Sequence, residues 1–208
     1  MRRFIVLVLS YGGAAAVICT AIVIFALLQE VYNDDLPERA AAAGISLPLE
    51  DPIIEVSIQR GTLSLLEGDV MLKRWNIGQG RVTAGRRVNR EGSTPIGEYR
   101  VVAKRMREDV LERGSRYLIL DFPSDFDAQR ALDLGAISYA EYLRIAAAAA
   151  RDELPPTDSA LGGPVCIQGN FFFFRNSRCT DGCIAMGNAE INQLYEYVPV
   201  GTPVIIEY

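Results

Sequence analysis

The stretch Thr180-Asp181-Gly182-Cys183-Ile184-Ala185-Met186 holds the residues best suited to chemistry in this chain. A thiol on a glycine-preceded turn, ahead of a helix, is where a nucleophile is displayed. The competing reading is a buried structural cysteine, since unpaired Cys is among the most buried residue types. Cys166 and Cys179 are nearby in sequence, and Gln168 precedes Cys183 by 15 positions. The chain has no His, so no imidazole stands ready to take a proton from a thiol. An unassisted thiol with a pKa of about 8.5 is only a few per cent thiolate at pH 7. A carboxylate at Asp181 would disfavour a thiolate beside it. Three cysteines with no obvious fourth ligand make a poor zinc site, so neither metal nor cofactor is expected.

The elements around these residues can be read from pattern. In an extended Val165–Gln168 segment side chains alternate, so Cys166 and Gln168 face the same way. Either Cys166 or Cys179 could bridge to Cys183 or guard it. Beyond Met186, Asn188 is placed to cap a helix whose apolar positions are Ile191, Leu194, Tyr195 and Val198. Pro199 and Gly201 end that helix, and Pro203 to Tyr208 reads as a closing strand.

Upstream, strands are expected at Ile54–Ile58, Thr62–Leu66, Val70–Ile77, Glu98–Lys104 and Tyr117–Phe122, with turns at Gly61 and Gly68. Helices are expected over Asp125–Leu134 and Ser138–Arg151, the second opened by a Ser138/Glu141 capping box. A short helix is expected at Pro37–Ala43, stopped by Gly44. Arg81, Arg86, Arg87 and Arg90 fall within a Gly-rich loop, read either as a contact for substrate carboxylates or as a solvated surface. Phe171 to Phe174 is read either as an apolar lid or as a run covered on both faces by tertiary neighbours.

The chain has 208 residues, is 50% hydrophobic and carries a net charge of −5. That suits one domain with a real core plus an appendage. An acidic balance without a basic stripe argues against a nucleic-acid partner. Phe4 to Leu28 carries no charged residue, and a helix of that length crosses a hydrocarbon core of about 30 Å. No small-residue cleavage site follows it, so a retained anchor is expected rather than a cleaved signal. Arg2 and Arg3 would stay in the cytoplasm, which puts the remainder outside. Cys19 then reads as a bystander in the membrane. The outer side permits disulfides.

Three ordered motifs carry a resemblance. The cysteine stretch, continuing as Asn188-Ala189-Glu190-Ile191-Asn192 and Gly201-Thr202-Pro203, resembles the signature of the L,D-transpeptidase catalytic-domain family, in the branch with Ala two places after the cysteine. Thr94-Pro95-Ile96-Gly97-Glu98-Tyr99 resembles its TPxGxY segment, and Leu161-Gly162-Gly163-Pro164-Val165-Cys166-Ile167-Gln168-Gly169 its LGGxIxIHG strand. The resemblance implies Cys183 as nucleophile attacking a peptidoglycan tetrapeptide stem, with D-alanine leaving and a thioester formed. It implies backbone N–H groups at Cys183 and Gly182 as oxyanion donors, and an orienting hydroxyl at Thr180. It places the family histidine at Gln168, whose amide has no proton affinity near neutral pH. Arg86, Arg87 and Tyr99 are candidate substrate contacts.

The expected architecture is mainly β with a few helices, a mixed L,D-transpeptidase-like sandwich or barrel preceded by one transmembrane helix. The expected divisions are a cytoplasmic tip (1–3), the span (4–28), a juxtamembrane linker (29–51) and the catalytic domain (52–208). The functional expectation is a membrane-anchored cell-wall acyltransferase in the bacterial inner membrane, its domain in the periplasm, weakened by loss of the histidine. The alternatives are a catalytically silent relative that binds peptidoglycan or a cell-wall synthesis partner, and a disulfide-regulated thiol protein.

Overall fold

Apolar segments rich in Ile, Val and Leu form eight strands in the computed structural model, which describes residues 17–24, 35–80, 93–106, 116–170 and 182–208. The strands are β1 (Pro52–Ser57), β2 (Thr62–Glu67), β3 (Val70–Asn76), β4 (Gly97–Met106), β5 (Arg116–Leu120), β6 (Cys166–Asn170), β7 (Ile184–Gly187) and β8 (Pro203–Glu207). The described helices of the domain are α1 (Leu36–Ala42), α2 (Asp125–Asp133), α3 (Tyr139–Ala149) and α4 (Asn188–Tyr197).

The strands form one mixed sheet in the order β3-β2-β1-β8-β4-β5-β6-β7. Hairpins join β1, β2 and β3, whereas β1 pairs with β8 in parallel, so the two ends of the chain's domain meet mid-sheet. Just past β3, Gly78 bridges to Ala185 of β7. The two edges of the sheet are therefore brought together, and the body is nearly closed in the manner of a barrel. Closure removes exposed edge groups that would otherwise template association.

The core lies within this sheet. Ile54, Val56, Leu63, Leu65, Leu118, Leu120, Phe122, Ile167, Ile184, Met186 and Ile191 are fully or almost fully buried in one cluster. Burying each such side chain contributes about 1.5–3 kcal/mol. Leu36 and Leu49 belong to the same cluster, so the i, i+4 pair Leu36 and Ala40, both 0% exposed, seats α1 on the domain. A second cluster, Ala128, Ala131, Ile137, Ile145 and Leu161, packs α2 against α3. Ser124 and Ser138 each open their helix with a complete capping box, the second as expected from Glu141.

Two expectations about the C-terminal stretch are corrected. The apolar run after Cys183 is a strand, β7, so the thiol leads into the sheet and not directly into a helix. Asn188 is the first residue of α4 rather than its cap; Gly187 holds the cap position, and its N–H donates to Glu190 Oε2 at 2.8 Å. At the other end of α4, Lys104 Nζ donates to the Tyr195 carbonyl at 2.6 Å. Lys104 and Arg116 also stand over the Tyr195 ring at 5.3 and 5.1 Å. Cations near a helix C-terminus complement its dipole, and burial lowers the Lys104 pKa.

Residues 1–35 form a separate unit. Of the span expected at 4–28, only residues 17–24 are described; they are helical, and Val17, Ile18, Ile22, Val23 and Ile24 are exposed. Among the described residues no helix is long and apolar enough to cross a membrane.

Candidate active site

Cys183 sits immediately before β7 and is half-buried, with Gly182 buried behind it. Gly182 has φ +92°, a conformation that side-chain-bearing L-residues rarely adopt. The turn that presents the sulfur thus requires glycine at this position. β7 runs parallel to β6, with Ile167 opposite Ile184 and Gln168 opposite Ala185. One step back along that register, Cys166 stands beside Cys183. Laterally paired residues share a face, and alternate residues on one strand do too. Cys166, Gln168, Cys183 and Ala185 therefore form one patch, as the alternation at 165–168 led us to expect for the first two.

Within the patch the sulfurs are the closest pair. Cys166 Sγ is 2.6 Å from Cys183 Sγ, and the Cys166 backbone N–H donates to Cys183 Sγ at 3.2 Å. The Cys166 thiol also lies 3.7 Å from Gln168 Oε1. Cys166 is buried at 8% exposure while Cys183 is half-buried, so the two thiols are not equivalent. The Cys166 thiol is pushed strongly upward in pKa, first by its hydrogen bond to Cys183, then by burial and by the charge on Cys183. The Cys166 backbone N–H and the Cys166 sulfur both face the Cys183 sulfur, at 3.2 and 2.6 Å. Sequence reasoning put Cys166 close by but gave the facing role to Gln168; parallel register puts Cys166 beside the sulfur instead.

A second wall comes from the segment after β3. Gly78 N donates to Ala185 O and Ala185 N to Gly78 O, each at 2.7 Å. Gly80 N is held by Thr94 Oγ1 at 2.9 Å, and the buried Gln79 side chain donates to Ile58 O at 2.8 Å. This wall had no sequence signal beyond the glycines at 78 and 80.

The remaining candidates divide. Tyr99 is a core residue: it is 3% exposed, its hydroxyl lies 3.5 Å from Ile96 O, and its ring meets Phe122 edge-on at 5.9 Å. Tyr99 is also among the residues that line the cleft described below. Thr180, Arg86, Arg87, Cys179 and Phe171–Phe174 lie outside the described residues. Among the described residues no cluster of His, Cys, Asp or Glu could hold a metal ion. A cleft of about 650 Å³ opens elsewhere, lined by Glu98, Arg100, Asp121, Asp125, Phe126 and their neighbours, and includes neither thiol.

The L,D-transpeptidase catalytic domain (YkuD) family matches residues 51–206, and the chain belongs to that family. In fold it is similar to the structure of Bd1075 from Bdellovibrio bacteriovorus, with a TM-score of 0.51 at 16% identity over 76% of this chain and 48% of that one. It is also similar to the helical cell shape determining protein Pgp2 from Campylobacter jejuni, with a TM-score of 0.50 at 14% identity over 78% of this chain and 49% of that one. The chain thus spans about half the length of these structures. No curated protein matches it in sequence.

Proposed function

We propose that this chain is a membrane-anchored acyltransferase of the bacterial cell wall, acting on peptidoglycan tetrapeptide stems through Cys183. The observation that carries the reading is a half-buried sulfur on a glycine-dependent turn at the sheet seam, receiving a hydrogen bond from the Cys166 backbone N–H and touching the Cys166 sulfur. The Cys183 thiolate attacks the carbonyl that joins an L-centre to the terminal D-alanine. The tetrahedral oxyanion is received by the backbone N–H of Cys183 and of Gly182, as is general for acyl transfer. Collapse expels D-alanine, whose nitrogen takes a proton from solvent as the C–N bond breaks, and leaves a thioester; an amine of a neighbouring stem or water then resolves it, losing a proton to solvent and returning the thiolate. Gln168 stands where the family has its histidine; it can donate a hydrogen bond but cannot carry the proton. Loss of a positioned general base costs about 10²- to 10⁴-fold, so turnover is slow. Anchoring through residues 4–28, with the domain in the periplasm, and a part in cell shape like that of the Campylobacter protein complete the proposal.

The second reading is a silent relative that binds stems or a cell-wall synthesis partner, favoured by the lack of any histidine in the chain. The full chain in detergent, given disaccharide-tetrapeptide and an amine acceptor, separates the two by release of D-alanine. Release that disappears in Cys183→Ala supports the acyltransferase. Saturable binding of the muropeptide without release, equal in wild type and Cys183→Ala, supports the silent binder and overturns the first reading.

A further inference from the structure

We propose that Cys166 and Cys183 form a reversible dithiol–disulfide couple, so that the nucleophile of the site is also a redox-modified residue. Sequence spacing left Cys166 and Cys179 as equal candidates to bridge to Cys183; the geometry points to Cys166. The two cysteines are lateral neighbours in the parallel β6–β7 register, and neighbouring strands lie about 4.7–4.9 Å apart. That spacing falls within the Cα separation of about 4.4–6.8 Å that a disulfide spans. Their side chains share a face, with the sulfurs already 2.6 Å apart. Strand-to-strand movement is not required to join them.

The difference in burial assigns the order of events. Cys183, the half-buried sulfur, meets an incoming low-molecular-weight or protein disulfide. Its thiolate attacks one sulfur of the reagent, the reagent's S–S bond breaks, and one thiolate leaves to be protonated by solvent. A mixed disulfide on Cys183 remains. Cys166 then attacks Cys183 Sγ, its proton passes to the second leaving thiolate, and the internal disulfide closes. Two protein thiols are oxidised and one reagent disulfide is reduced to two thiols. Cys166, seated beside Cys183 with its sulfur in contact, is placed to act as the resolving thiol once Cys183 is a mixed disulfide.

The functional consequence, which rests on the acyltransferase reading, is that the oxidised form has no nucleophile and the reduced form regains it. The disulfide itself does not depend on that reading. The test is to equilibrate the full chain in detergent with oxidised glutathione, block remaining thiols with iodoacetamide, and map the unreduced peptides by mass. A Cys166–Cys183 crosslink that dithiothreitol reverses, with loss of Cys183 alkylation in the oxidised form only, is expected. In Cys166→Ser and Cys166→Ala the reaction should stop at a glutathione adduct on Cys183. A Cys179–Cys183 crosslink, a wild-type protein halted at the glutathione adduct, or two thiols still alkylatable at saturating oxidant would each overturn the couple. A crosslink in the oxidised chain with no D-alanine release by the reduced chain leaves the couple standing and removes the acyltransferase; release by the reduced chain with no crosslink on oxidation does the reverse.

Discussion

Gly78 and Ala185 exchange both of their backbone hydrogen bonds, each 2.7 Å long, and so tie the segment leaving β3 to the strand that carries Cys183. The site therefore lies on the seam where the sheet closes, and the rigidity of that seam sets how firmly the sulfur is held. Gly78→Pro removes one donor and leaves the buried Ala185 carbonyl without its partner. A loss of about 1–3 kcal/mol in stability is expected, with the Ala185 amide exchanging faster with deuterium while amides of β1 and β8 keep their relative protection.

Gly182 turns the chain at φ +92° into Cys183. A Cβ there costs about 1–2 kcal/mol when the left-handed conformation is kept, and the turn relieves that cost by moving the sulfur. Gly182→Ala should slow alkylation of Cys183 by iodoacetamide under reducing conditions and lower the urea midpoint. Unchanged alkylation would mean that the turn does not position the thiol.

Gln168 lies opposite Ala185 in the β6–β7 register, on the same face as Cys183. A histidine in its place restores a group that titrates between pH 5 and 8. Gln168→His should raise the rate of Cys183 acylation by about 10²-fold or more and give it a pH midpoint near that of an imidazole. Stopped-flow acylation across pH 5–9 measures both.

Asp121 supplies a pH dependence away from the thiols. Burial raises its pKa above the ordinary 3.8, although the Arg100 N–H donates to it at 2.8 Å and the Arg100 guanidinium stands 3.6 Å away. Between 3.8 and the raised folded value the folded chain binds more protons than the unfolded one. Stability contributed by this group is therefore full below about pH 3.8 and is lost as pH rises through the folded pKa. Asp121→Asn should flatten this part of the stability profile, measured by urea unfolding from pH 3.5 to 7.

Much of this fold is local and could be read from pattern. β2 follows from Leu63 and Leu65 alternating with Thr62 and Ser64 between Gly61 and Gly68, and α3 from the Ser138/Glu141 box. What escaped was non-local. The parallel pairing of β1 with β8 and the Gly78–Ala185 bridge join residues over a hundred positions apart, and nothing local specifies them. β7 escaped because Ile184, Ala185 and Met186 are all buried, so no alternation marks a strand. The period-2 geometry of an extended segment made the shared face of Cys166 and Gln168 legible. The lateral contact of Cys166 with Cys183 required the register. Tyr99 was named from a motif, and its ring lies in the core beside Phe122.

If the sulfur at position 183 accepts an acyl group, a carbapenem, of the class that acylates the cysteine in this family, will modify it. Intact-mass measurement of the reduced full chain after exposure to the carbapenem should show one covalent adduct, present in wild type, formed faster in Gln168→His and absent in Cys183→Ala. No adduct in either wild type or Gln168→His, or an adduct that survives Cys183→Ala, would contradict acylation of Cys183.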